Sequence, residues 1–155
     1  MQIFADESIE NCAINKRKEV HADQTEIKEV MTENEISFDI RGAAFNVYNN
    51  LGPGLLESVY EVALAHELSK MGYDVKMQVG LPVVYDDIKM DIGFRMDLVV
   101  NDLVVIEIKS VDAIAEVHYK QLLTYLKLSG KKLGLLINFN VNTMKDSIIR
   151  IVNNL

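Results

Sequence analysis

Apolar residues recur at Ile36, Ile40, Ala43, Ala44, Val47 and Leu51, a spacing that predicts an amphipathic helix. Thr32, with Glu35 three positions on, supplies a capping box for its start. Gly52-Pro53-Gly54 ends it. Helical spacing resumes from about Leu56 to Met71, and Gly72 stands where a left-handed residue closes a helix. The pattern then becomes strand-like. Strands are expected over Tyr73–Val79, Leu81–Tyr85, Ile88–Val100 and Leu103–Lys109, with a turn at Asp86-Asp87. A third helix over Ala113–Ser129 is closed by Gly130, Leu133–Phe139 reads as a buried strand, and Thr143–Val152 as a last helix. The order α-α-β-β-β-β-α-β-α predicts an α/β sandwich with a mixed central sheet flanked by helices. Its hairpins require antiparallel pairs, and the crossover through the third helix supplies a parallel one.

Residues 1–30 lack this periodicity and hold seven acids and four bases. They are expected to form a weakly ordered, charged extension, with a short helix near Gln24–Val30, ahead of a domain spanning residues 31–155. Met31 reads as a candidate for the true start codon, which would make residues 1–30 either no part of the natural protein or a dispensable tail.

The net charge of −7 argues against a sequence-independent DNA coat, which needs a broad basic surface. It leaves a nuclease open, because a carboxylate metal site is itself acidic. A lone Cys12 excludes an internal disulfide and any cysteine-based zinc site. The first residues lack the basic and apolar regions of a signal peptide, and no apolar run approaches a membrane span, so the cytoplasm is the expected compartment.

The densest chemistry lies between Asp97 and Lys109. Two β-branched segments carry an acid on the first and Glu107-Ile108-Lys109 on the second, and buried strands hold such charges only at a cost. Alternation places Arg95, Asp97 and Val99 on one face, and Val105, Glu107 and Lys109 on one face of the next strand. A two-residue Asn101-Asp102 turn would set Asp97 opposite Ile106, on the wrong face. A three-residue loop, Asn101-Asp102-Leu103, or a one-residue bulge pairs Asp97 with Glu107, and that is the register expected. Two carboxylates so placed repel unless a cation joins them, and hard oxygen ligands suit Mg²⁺ or Mn²⁺. The Ile108 carbonyl is a further candidate ligand. Lys109 stands beside them to orient or deprotonate an attacking water and to offset developing phosphate charge. A solvated hairpin with a cross-strand Glu–Lys pair is the bland alternative.

Two helical clusters join it. Glu57 and Tyr60 share a face at the start of the second helix, where the helix dipole alone would also favour an acid. His118, Gln121 and Tyr125 form one stripe on the third helix, readable also as the polar edge of an amphipathic helix. Lys120, Lys127, Lys131 and Lys132 cluster nearby, either tracking a phosphate backbone or forming a solvated face.

Taken in order, Gly54-x-x-Glu57-x-x-Tyr60, Arg95-x-Asp97, Glu107-Ile108-Lys109, Gln121-x-x-x-Tyr125 and Asn138-Phe139 resemble the GxxExxY protein family of the PD-(D/E)xK nuclease-like superfamily. The resemblance covers Thr32 to Leu155. Gln121-x-x-x-Tyr125 is also similar to the corresponding motif of RecB-type nucleases. Met96 stands where the superfamily's name has proline, a position the chemistry does not require. The resemblance implies a restriction-endonuclease-like α/β sandwich. It implies Glu57, Asp97 and Glu107 as metal ligands, Lys109 as catalytic, and Gln121 and Tyr125 as residues that contact substrate or steady the site, with Tyr60, Arg95 and His118 beside them at the substrate. The expected function is Mg²⁺- or Mn²⁺-dependent phosphodiester hydrolysis, with DNA the leading substrate. The alternative is a non-catalytic nuclease-fold module acting through protein partners. A homodimer or a larger nuclease complex would supply the nucleic-acid grip that a small acidic chain lacks.

Overall fold

The structure, a computed structural model, describes residues 30–91 and 93–155. The charged extension and its expected helix therefore lie outside the described residues, save Val30. Helix α1 (Glu33–Leu51) starts where the capping box places it: Thr32 Oγ1 accepts the Glu35 N–H at 3.3 Å, and the Glu35 carboxylate accepts the Thr32 N–H at 2.7 Å. Helix α2 (Glu57–Lys70) follows the Gly52-Pro53-Gly54 break, and Gly72, at φ +91°, turns the chain out of it.

Five strands form one mixed sheet: β1 (Val75–Gly80), β4 (Arg95–Val100), β5 (Val104–Lys109), β6 (Leu133–Asn138) and β7 (Ile148–Val152), in the spatial order β1-β4-β5-β6-β7. Only β5 and β6 run parallel, and they are joined through α3 (Glu116–Ser129), as the crossover argument requires. Strands β2 (Val83–Tyr85) and β3 (Ile88–Met90) make a separate hairpin, closed at Asp86-Asp87 with φ of +48° and +61°.

The sheet is covered on both faces. Ile36, Ile40, Ala44, Leu64 and Leu68 of α1 and α2 pack on Leu98, Val104, Ile106, Leu135 and Ile137. Leu122, Tyr125 and Leu126 of α3 pack with Met96, Val99, Val105 and Leu136. Alternation along β5 thus sends Ile106 and Ile108 to the first layer and Val105 to the second. No helix among the described residues is long and apolar enough to cross a membrane.

The expected strand Ile88–Val100 is two strands in different sheets, β3 and β4, separated by a stretch that includes Gly93 at φ +69°. The expected last helix is a single 3₁₀ turn, Met144–Asp146, followed by β7. Ile148, Ile149, Ile151 and Val152 are β-branched and lose side-chain freedom in a helix. The edge of β6 offers them a ladder from Ile137↔Ile148 to Leu133↔Val152.

Gly134 of β6 lies close beneath Leu122 of α3. A Cβ at Gly134 would stand 2.9–3.1 Å from Leu122 Cδ1, Cγ and Cδ2. Gly134→Ala therefore lowers stability by about 1–3 kcal/mol in denaturant unfolding, through overpacking. A Leu122→Ala change in that background recovers part of the loss caused by the glycine substitution. Additive losses in the double mutant would show that the two sites do not share this contact.

Candidate metal centre

The β4–β5 turn decides whether the two strand acids meet. Asn101 and Asp102 both have positive φ, +49° and +58°, and the Leu103 N–H bonds the Val100 carbonyl at 3.0 Å, the signature of a type I′ turn. Val100 nevertheless pairs with Val104, so Leu103 is an extra residue. The expected three-residue connection and the expected bulge are the same object. The ladder Val100↔Val104, Val99↔Val105, Leu98↔Ile106 carries Asp97 to the position opposite Glu107.

Backbone pairing stops at Leu98–Ile106, and the next free donor, the Ile108 N–H, goes to Asp97 Oδ2 at 2.8 Å. The Asp97 side chain thus satisfies a strand N–H that the ladder has released. On the other side of β4 the β1 ladder also skips one position, between Met77↔Leu98 and Val79↔Met96. There Gln78 takes φ +51°, and its Nε2 lies 3.5 Å from Asp97 Oδ1.

Glu107 is the buried member, 3% exposed on a central strand. Lys109 Nζ reaches its Oε1 at 3.0 Å, but Oε2 is buried and has no hydrogen-bond partner among the described residues. Burial, reinforced by the Asp97 charge, pushes the Glu107 carboxyl up to about 7. Asp97 is raised by burial, against the pull of the Ile108 N–H and Lys109. For Lys109, burial works against the ammonium, but Glu107, Glu57 and Asp97 outweigh it and leave its pKa raised. The lysine therefore stays charged beside the raised Glu107 carboxyl.

Helix α2 brings Glu57 to the same end of the sheet. Its Oε1 accepts the Ser110 N–H at 3.2 Å, one residue beyond Lys109, and Ser110 Oγ donates to the Leu55 carbonyl at 2.7 Å. Glu57 is exposed and lines a depression of about 410 Å³ with Leu55, Leu56, Ser58 and Ser110. Among the described residues no three His, Cys, Asp or Glu side chains already meet as a ligand cage. Instead, Glu107 and Glu57 each have one oxygen on a protein donor, and Asp97 has Oδ2 on the Ile108 N–H with Oδ1 at 3.5 Å from Gln78. The donor set fits a hard divalent cation: three carboxylates close enough to perturb one another, with one buried oxygen unpartnered.

The remaining expected site residues divide. Gln121 Nε2 donates to the Tyr125 hydroxyl at 2.7 Å, and the charges on Glu107, Lys109 and Asp97 bear on that hydroxyl, so α3 presents this pair to the acids. Arg95 is exposed at the rim, its Nη1 on the Gln78 carbonyl at 3.3 Å. Tyr60, expected to contact substrate, is fully buried. It stacks on Phe139 at 4.4 Å, and its hydroxyl donates to the Gly52 carbonyl and accepts the Leu55 N–H. It pins the glycine-rich entry to α2 from within the core. His118, also expected at the substrate, turns its Nδ1 back to accept the Ala115 N–H at 3.1 Å and serves the start of α3. Lys131 binds Asp102 and Lys120 binds Glu116, so these two lysines brace the β4–β5 turn and α3.

Two residues near the acids, Glu61 and Gln78, were not singled out from sequence. Glu61, 7% exposed, accepts Gln78 Nε2 on both oxygens, and Asp97 and Glu57 act on its charge. Its place four residues after Glu57, on the same helix face, was the available signal. Asn138 clamps the chain after β5: its Oδ1 accepts the Val111 N–H, and its Nδ2 donates to the Val111 carbonyl.

No curated protein matches the chain. A family comparison matches residues 34–151 to the PD-(D/E)XK nuclease superfamily, a span that contains every element described above except the first residue of α1 and the end of β7. The topology, the strand acids and the match agree, and the chain belongs to the PD-(D/E)XK nuclease superfamily.

Proposed function

We propose that this protein is a divalent-metal-dependent nuclease that hydrolyses phosphodiesters of DNA. The observation that carries the reading is Glu107. A carboxylate with an unpartnered oxygen at 3% exposure is a poor structural choice, and the register opposite Asp97 makes it a good ligand. Glu57, Asp97 and Glu107, with the Ile108 carbonyl, would hold Mg²⁺ or Mn²⁺. When bound, the ion would supply positive charge against the developing charge on phosphate and acidify water at neutral pH.

The chain's own residues do the rest. Lys109, kept charged by the surrounding acids, orients water and neutralises phosphate charge at the end of β5. The Gln121–Tyr125 pair on α3 and Arg95 on the rim of β4 hold the polymer against the acids. Water adds to phosphorus, the bond from phosphorus to the departing sugar oxygen breaks, and the products are a phosphate monoester and a hydroxyl end. Asn138 and Tyr60 act at one remove, fixing the segments that follow β5 and precede α2.

Incubation of the full chain with single-stranded, duplex and flap DNA tests this. Cleavage is expected with Mg²⁺ or Mn²⁺ and absent with chelator. Lys109→Met is expected to lower the rate about a hundredfold or more. The same ions are expected to raise the melting temperature of the wild type and not of Asp97→Asn or Glu107→Gln. A metal-induced rise without cleavage of any DNA would favour the non-catalytic binding module, and its absence together with no cleavage would defeat the enzyme reading.

The pH dependence has a definite sign. With the folded-state value of Glu107 near 7 against an ordinary 4.5, the metal-free fold holds a proton that the unfolded chain has lost. This contribution to stability is present below the unfolded value and is lost as pH rises toward 7. Metal binding needs the carboxylate, so it expels that proton. The metal-induced rise in melting temperature is therefore larger at pH 8 than at pH 6. Equal rises at both would mean that Glu107 is not a ligand.

A further inference from the structure

Glu61 and Gln78 form a polar pair outside the metal-holding set. Gln78 Nε2 lies 2.8 and 2.9 Å from the two Glu61 oxygens and 3.5 Å from Asp97 Oδ1. An amide nitrogen carries two hydrogens, so one can serve Glu61 while the other serves Asp97. Gln78 sits opposite Asp97, at the one position where the β1–β4 ladder is interrupted, and holds φ +51°. A residue with a side chain rarely adopts that conformation in mid-strand, and it persists only where its surroundings impose it. Glu61 supplies the hold: it is 7% exposed on α2 and has this amide as its hydrogen-bond partner. The arrangement leaves Asp97 with both oxygens addressed, Oδ2 by the Ile108 N–H and Oδ1 by Gln78. Close by, Glu107 offers the buried, unpartnered Oε2 that calls for a cation.

We propose that Gln78, held in its left-handed conformation by Glu61, is a positioning residue that fixes the Asp97 carboxylate for divalent-cation binding. This rests on the metal-dependent reading above. A neutral amide suits the task, because it donates to two carboxylates at once without competing as a cation. The contacts that orient a metal's ligands carry much of a site's affinity.

The strained backbone provides the test. Glycine accepts φ +51° without cost, so Gln78→Gly removes the amide and relieves the strand. The full-length, metal-free variant is expected to melt no lower than wild type, yet to bind Mn²⁺ about tenfold more weakly in titration calorimetry. Glu61→Ala is expected to lose a similar factor. Glu61→Gln, which keeps an acceptor for the Gln78 amide, is expected to retain most of the affinity. Wild-type Mn²⁺ affinity in Gln78→Gly, at any melting temperature, would overturn the positioning role and leave the metal reading intact. Loss of affinity in Glu61→Gln equal to that in Glu61→Ala would also overturn it, by making Glu61 a ligand. No Mn²⁺ binding by the wild type would overturn both.

Discussion

The structure turns on one carboxylate placed where the fold should reject it. Glu107 lies on β5, third of five strands, with apolar layers on both faces of the sheet. Burying an ion there costs several kcal/mol unless it is paired, and Lys109 pairs only one of its two oxygens. The protein meets the cost partly by letting Glu107 keep its proton to about pH 7. The rest of the local architecture follows from opening the sheet at this point. Pairing between β4 and β5 ends at Leu98–Ile106, Asp97 takes the freed Ile108 N–H, and α2 delivers Glu57 to Ser110 just beyond.

The surrounding core serves this opening. The Tyr60–Phe139 stack joins the start of α2 to the end of β6, and the Phe139 N–H binds the Lys109 carbonyl. Asn138, the residue before it, clamps Val111. Lys109 and the segment after it are thereby held from the neighbouring parallel strand. A site on strand ends with hydrogen-bonded support is more exactly placed than one on loops. In this chain the motif tyrosine and asparagine act as that support.

Much of this was legible in the sequence because the signals were local. Thr32 and Glu35 mark the start of α1, glycines mark the ends of the helices, and the alternation of β4 and β5 fixes which side chains share a face. The parity argument over Asn101-Asp102-Leu103 identified the register of Asp97 and Glu107, because a one-residue slip reverses every side chain. What failed depended on distant partners. Residues 148–152 satisfy helical and strand spacing alike, and only the free edge of β6 decides for a strand. Tyr60 and His118 carry polar atoms, and nothing local tells a capping or core role from a substrate contact. Gln78 was unreadable, because its left-handed backbone is set by Glu61 and by a gap in the ladder.

Everything proposed for the site requires that the buried Glu107 share a cation with Asp97 and Glu57. Anomalous scattering from crystals of the full chain grown with Mn²⁺ measures this directly. One strong peak touching the carboxylates of Asp97, Glu107 and Glu57 is the expected result. Well-diffracting crystals at saturating Mn²⁺ with no peak at these residues would contradict it.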